Sequence, residues 1–296
     1  MGRIVVLVGL TGHIELLRPF LEYYAGLGAD HFLVHINERK GRRAFIDAAR
    51  AVLRDYAHTV TDVWTGRFDY FRKIQHELHV VSAHCAESDW VLMPDLDELH
   101  EFPCPLPELF RMCEERGCNA VRGRFLDRVA EGGELPKLSA IRCLFSQFPY
   151  AAQITHPVLH ASPHVLAAAR GFVPKLRHEL TDGAPVLAGS PPRFLPGALA
   201  TAHHFKWSRN AISRMRDRYR WYKSLYKSGK SEFSFYREGK RLLNYLDAHG
   251  GRFDLSDPLL EVAWDGRCLF PSHAPSVECL CPVRVAPKAA TPSSRE

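Results

Sequence analysis

The chain has 296 residues, enough for one generous domain or two small ones. Hydrophobic residues at 46% and charged residues at 24% give an ordinary globular balance with a sizeable core, so no disulfide scaffold is needed, and no apolar run reaches membrane-spanning length. The formal charge of +6 is unevenly placed: acids gather near 87–115, while Arg and Lys crowd 206–241, which points to an anionic partner without choosing among phosphate, lipid headgroup and nucleic acid.

In chain order, Ile4–Leu10 is a continuous apolar run, as expected of a strand covered on both faces. It is too short for a membrane span and lacks a small-residue cleavage site, so a cytoplasmic protein is expected, with peripheral membrane contact open. From His13 onward, Ile14, Leu17, Phe20, Leu21 and Tyr24 recur at helical spacing, and Gly26 and Gly28 close that helix. His31–Ile36 reads as a second strand, Phe45, Ala49, Val52 and Leu53 as a second helix, and Val60–Trp64 as a short third strand. Phe71, Ile74, Leu78, Val81 and Cys85 mark one face of a third helix, which leads into the buried strand Trp90–Met93. Strands alternating with helices predict a parallel sheet flanked by helices, with ligands beyond the carboxyl ends of its strands.

A helix over Pro105–Arg116 and a strand over Ala120–Leu126 follow, whereas 131–200, rich in Pro, Gly and His, shows no assignable pattern. Helices are expected over 209–228 and around Arg237–Ala248, and Ala286–Glu296 reads as a disordered tail. This divides the chain into a core of 1–205, a basic helical extension of 206–285 and a tail of 286–296. The eight cysteines form no CxxC pair and read as buried thiols. Missing ligand spacing argues against a zinc site built from Cys113, Cys118 and the Cys279/Cys281 pair.

Directly after the fourth strand comes PDLDEL, carrying Asp95, Asp97 and Glu98. In an extended segment Asp95 and Asp97 project to one side, and two carboxylates facing one point repel unless a cation lies between them. Hard oxygen ligands suit Mg²⁺ or Mn²⁺ holding a diphosphate. A solvated acidic turn capping the helix after Pro105 is the plainer alternative.

With these segments in view, WVLMPDLDEL and HFKWS resemble the W-x4-DxDE and HFxxS motifs of the family-2-type GT-A glycosyltransferases, in their bacterial branch. RPFLEYYAGLGADHFLVHIN and the helix of Phe71–Cys85, with Gln75, are similar to the same branch, so the resemblance covers about residues 4–228. It implies an α/β GT-A fold, Rossmann-like with a mostly parallel sheet, followed by a C-terminal helical extension. It also implies a metal (Mn²⁺ or Mg²⁺) coordinated by Asp97, with His204 completing its shell or touching the diphosphate and Asp95 binding the ribose or reaching the metal through water. The donor site would comprise Gly9, Leu10, Thr11, Asn37, Gln75, Asp95, Leu96 and Lys206, the last neutralising the leaving group. The expected reaction is a hexosyl transfer, inverting or by double displacement as its alternative, from a nucleotide-sugar to a glycan, lipid-linked or other hydroxyl acceptor, in surface polysaccharide or glycoconjugate synthesis. Two departures leave the nucleobase open: Gly12-His13 stands where Asn-Glu is usual, and the second strand ends Ile36-Asn37 rather than in Asp.

Inverting transfer needs a base for the acceptor hydroxyl. Asp127, at a strand end, is the first candidate, with an ion pair to Arg128 as its alternative; Glu131 and Glu134 lie nearby, and Glu98 is a lesser candidate. His203 should face away from His204 by strand alternation. His156, His160, His164 and His178 lack ligand spacing and read as loop residues near an acceptor pocket.

The helix after Ser208 interleaves Arg209, Arg214, Arg216, Arg218, Arg220, Lys223, Lys227 and Lys230 with Trp and Tyr. It fits either an anionic membrane surface or a helix packed on the domain with solvated charges; no motif supports nucleic acid. The other classes considered are a metal-dependent nucleotidyltransferase or phosphoesterase and a non-catalytic protein binding anionic surfaces. Gly9-x-x-Gly12 does not complete the GxGxxG of a dinucleotide dehydrogenase.

Overall fold

A computed structural model describes residues 2–140, 142–170, 172–174, 186–189, 192–228 and 235–265. The first half alternates as expected: β1 (Ile4–Thr11), α1 (Leu17–Gly26), β2 (His31–Glu38), α2 (Arg43–Leu53), β3 (His58–Thr65), α3 (Tyr70–His84) and β4 (Trp90–Leu92). β1 pairs in parallel with β2 and β4, and β2 with β3, giving the order β3-β2-β1-β4. The chain therefore reverses its direction of travel across the sheet between β1 and β4, and a crevice opens beyond their carboxyl ends.

β1 is sorted by its two-residue period. Ile4, Val6, Val8 and Leu10 join Phe20 and Tyr24 of α1, and Leu53 of α2, in one core, whereas Val5 and Leu7 meet Val80 and Val81 of α3 on the opposite face. Leu10 is thus a core residue, not a donor contact. α3 is rotated relative to its apolar pattern: Lys73, Glu77, Val80 and Val81 are buried and Gln75 is exposed. Lys73 can be buried because it pairs with Asp95 and lies 3.7 Å from Glu77.

The second half is mixed. β5 (Glu98–Glu101), α4 (Leu106–Glu115), β6 (Ala120–Val129), α5 (Leu144–Gln147), β7 (Tyr150–Ala152) and β8 (His164–Arg170) precede a small pair, β9 (Phe172–Pro174) and β10 (Val186–Gly189). β8 lies antiparallel between β4 and β6, while β11 (Phe194–His204) runs parallel to β6 on its other side and antiparallel to β5. β11 crosses a stretch without sequence pattern because Pro196 and Gly197, the latter at φ 75°, break its alternation within a register shift between Phe194 and Leu199.

α6 (Arg209–Lys227), α7 (Phe235–Ala248) and the edge strand β12 (Ala263–Trp264) complete the fold. Trp207, Met215, Leu242 and Leu246 form one cluster with Val129 of β6 and Ala152 of β7, so the helical extension shares a core with the sheet. The fold is α/β, with helices on both faces of a sheet whose first half is parallel and a C-terminal helical extension. Among the described residues no helix is long and apolar enough to cross a membrane. Cys113 is buried and Cys118 half-buried, both as free thiols; Cys279, Cys281, His178, Lys230 and the tail lie outside the described residues.

Candidate active site

The acidic segment is a turn and not an extended strand. β4 ends at Leu92, the Glu98 N–H donates to the Asp95 carbonyl (2.9 Å), and the Asp95 N–H donates to the Glu98 carboxylate (3.1 Å). Asp95 and Asp97 consequently part company. Asp95 pairs with Lys73, whereas Asp97 joins Glu98 and His204 in a group whose ligand atoms all lie within 4.8 Å of one another. The structure thus brings Asp97 and His204 together with Glu98 and leaves Asp95 outside that group. No helix cap is involved, because β5 intervenes between the turn and α4.

Strand register explains why His204 belongs here. On β11 it sits opposite Glu98 of β5 on one side and opposite Asp127 of β6 on the other. The Phe205 N–H donates to the Asp97 carbonyl (2.7 Å), locking the turn to the end of β11. Tyr24 and Tyr23 of α1 bind the backbone of β5 at Glu98 and His100, which holds this short, highly polar strand in a buried place.

Asp127 is not placed to act as a base. Its buried carboxylate accepts from the Ile154 and Thr155 N–H groups (2.9 and 2.7 Å), Thr155 Oγ1 (3.0 Å), Trp207 Nε1 (3.0 Å) and His204 Nδ1 (3.0 Å). Burial works to raise its pKa, but the His204 hydrogen bond and the backbone donors outweigh it and hold the pKa below the usual range. In turn, burial works to lower the His204 pKa, and the Asp127 bond with the field of Asp97 raises it on balance. With Nδ1 committed, Nε2 is the nitrogen left for a ligand, as in a carboxylate–histidine–metal arrangement. Hard carboxylate oxygens and one imidazole nitrogen fit Mg²⁺ or Mn²⁺. The alternative pairing of Asp127 with Arg128 does not form: Arg128 binds the Asp265 carboxylate (2.9 Å) and donates to His203 Nδ1 (3.2 Å). His203 faces away from His204, as expected, and meets Glu101 (3.0 Å).

Beyond this group lies a cleft of about 390 Å³ at the β1/β2/β4 strand ends. Gly9, Thr11, Asn37, Asp95, Leu96, Asp97, His204 and Lys206, all named from the sequence, line it. A Cβ at Gly9 would come within 2.2 Å of the His35 imidazole, so glycine leaves room for that ring. Gly12 and His13 both adopt positive φ (67° and 40°), and the turn they form brings the Thr11 carbonyl and His13 to Arg214 of α6. Burial and the Arg214 charge push the His13 pKa down to about 4, leaving it neutral at pH 7.

Seven Arg and Lys side chains line the cleft against four carboxylates, a balance suited to a polyphosphate. Arg39, Arg42, Arg67, Lys73, Arg214 and Arg218 were not among the expected donor contacts. Glu38 is buried and folds the loop after β2 by accepting from the Lys40 and Arg42 N–H groups and from the Arg42 guanidinium. Two contacts carry α6 across the cleft: Arg39 pairs with Asp217 (2.6 Å), and Arg67 stacks over Trp221 (4.8 Å). The aromatic and basic alternation of α6 was visible in sequence, but nothing local showed that one face of the helix roofs the site. His156, His160, His164, Glu131 and Glu134 do not line the cleft.

No family model and no curated protein matches the chain. Among solved structures it is similar to residues 1–349 of TarS from S. aureus, at 12% identity over 83% of this chain and 71% of that one, with a TM-score of 0.37. It is also similar to HddC from Yersinia pseudotuberculosis, at 12% identity over 47% of this chain and 64% of that one, with a TM-score of 0.27. Neither likeness is close enough to carry an argument about this chain, and the functional reading rests on the site itself.

Proposed function

We propose that the chain is a metal-dependent glycosyltransferase that takes a nucleotide-sugar donor and passes a hexosyl unit to a hydroxyl acceptor. The observation that carries this reading is the row Glu98–His204–Asp127 across three strands, completed by Asp97 and opening into a cationic cleft at the sheet's reversal point. Asp97, Glu98 and His204 would hold Mn²⁺ or Mg²⁺, which when bound neutralises charge on a diphosphate. Lys206 and Arg214 add cationic charge for the leaving nucleoside diphosphate, and Asp95, fixed by Lys73, faces the cleft where a ribose would lie. Asn37 donates through Nδ2 to the Trp64 and Gly66 carbonyls, which leaves its carbonyl oxygen to meet an N–H of the nucleobase. Asp127 acts as a positioning residue for His204. We read the acceptor as a glycan or a lipid-linked glycan in surface polysaccharide or glycoconjugate synthesis.

The test is a thermal-shift screen of nucleoside diphosphates and sugar donors with and without Mn²⁺, on the wild type and Asp97→Ala. Stabilisation by one nucleotide that needs the metal and vanishes in the variant supports the reading. Nucleotide binding that ignores both metal and variant, or no nucleotide binding at all, refutes it. The anomeric configuration of the product, read by NMR, decides inversion.

A further inference from the structure

The cations of α6 fall into two sets. Arg214 and Arg218 face the donor cleft, on the same side as Asp217 and Trp221. Arg209, Arg216, Arg220, Lys223 and Lys227 follow one another at helical spacing and, at about 3.6 residues per turn, share a different face. None of these five lines the cleft, and four of them are exposed, with Lys223 half-buried. The donor site therefore accounts for none of this charge.

The stripe is not neutralised by its own helix. Asp217 is the one carboxylate of α6; it is held at 2.6 Å by Arg39 on the cleft side and reaches Arg220 only at 4.0 Å. α7 adds to the same surface. Lys223 donates to the Tyr219 hydroxyl (2.9 Å), and the phenol's pKa is lowered first by that bond and further by the charges of Lys240 and Lys227. Tyr226, 40% exposed, packs against Tyr236 with the rings tilted and their centroids 5.0 Å apart, and Arg237 approaches both rings. The result is an open, strongly basic surface bordered by tyrosines, with Arg220, Lys223 and Lys227 around one shallow depression.

We propose that this outer face of α6, with the adjoining end of α7, docks the protein on an anionic lipid surface. Charge complementarity selects the partner: aligned cations collect acidic headgroups, and tyrosines with a polar tip and an apolar ring suit the headgroup boundary. Because the stripe and the cleft occupy different faces of α6, docking leaves the donor site free. The assignment stands whether or not the proposed transferase reaction is correct.

Co-sedimentation with vesicles of phosphatidylcholine, alone or mixed with phosphatidylglycerol, tests it. Expected is binding to the mixed vesicles only, weakened by added salt. The combined Arg216→Glu, Arg220→Glu, Lys223→Glu and Lys227→Glu variant should lose about a hundredfold or more in vesicle affinity. An unchanged melting temperature would confirm that this variant is folded. Should it fail to fold, the Lys223→Ala, Lys227→Ala pair keeps helix propensity and should still weaken binding by about tenfold. Equal binding to neutral vesicles, or undiminished binding by the variants, overturns the proposal. Stripe-dependent binding to duplex DNA that exceeds binding to anionic vesicles overturns the lipid assignment in favour of nucleic acid.

Discussion

The parallel half of the sheet, β1 to β4, and the mixed half, from β5 to β11, both end at the candidate site but build it differently. The parallel half contributes through the ends of its strands: Thr11, Asn37 and the turn after β4 are close because neighbouring parallel strands finish at one edge. The mixed half contributes through lateral register, in which Glu98, His204 and Asp127 meet across three adjacent strands although 106 and 77 residues separate His204 from its two partners. The first arrangement follows from chain order. The second depends on long-range pairing, and within it the Asp127 carboxylate accepts from Ile154, Thr155, Trp207 and His204.

This contrast can be sharpened by substitution. The largest expected effect is that of Asp97→Ala, which should abolish metal-dependent nucleotide binding and lower transfer by about a hundredfold or more. Next comes Asp127→Asn, which should weaken Mn²⁺ binding, measured by calorimetry, by about 10–100-fold without any contact to the metal. Asp127→Ala should in addition destabilise the protein by about 3 kcal/mol in chemical denaturation, since it strands several buried donors. If Asp127→Asn bound metal normally, Asp127 would be a structural residue and not a positioning residue for His204.

Smaller effects belong to the parallel half and its roof. Lys73→Met should leave the Asp95 carboxylate without its Lys73 partner and weaken donor binding by about tenfold, with the metal affinity of the Asp97 group little changed. A parallel loss of metal and donor affinity would instead return Asp95 to the metal shell. Trp221→Ala should weaken donor binding by about fivefold, through loss of its stacking with Arg67.

The smallest effect lies far from the site. Asp89 is buried; burial works to raise its pKa, and its bonds with Arg3 and Ala86 lower it overall. That stability is present above the unfolded pKa of about 3.9 and is lost as pH falls through the lower folded value. Arg3→Ala should therefore cost about 1 kcal/mol or less at pH 7, and the difference from wild type should shrink in acid unfolding.

Much of the parallel half was legible because its strands are short apolar runs with helical patterns between them. The acidic segment and HFKWS were legible as chemistry. Their partners were not. Reading Asp95 and Asp97 as one extended pair failed because a turn follows β4, and a two-residue spacing carries different directions in a turn and in a strand. The resemblance points to Gln75, which is exposed, and apolar periodicity cannot show that Lys73 is buried, because its partner lies 22 residues away. β5 and β11 carry no strand pattern in the sequence, because ELHE has one apolar residue, Leu99, and Pro196 with Gly197 interrupts the other strand.

By itself the sequence determined the alternating α/β plan, the location of the acidic turn beyond the fourth strand, and the residue types able to hold a metal, because these depend on local periodicity and side-chain chemistry. Tertiary structure alone decided which carboxylates converge, that Asp127 serves His204, and that one face of α6 covers the cleft. Those outcomes depend on strand register and helix rotation, and both are set by packing between segments distant in the chain.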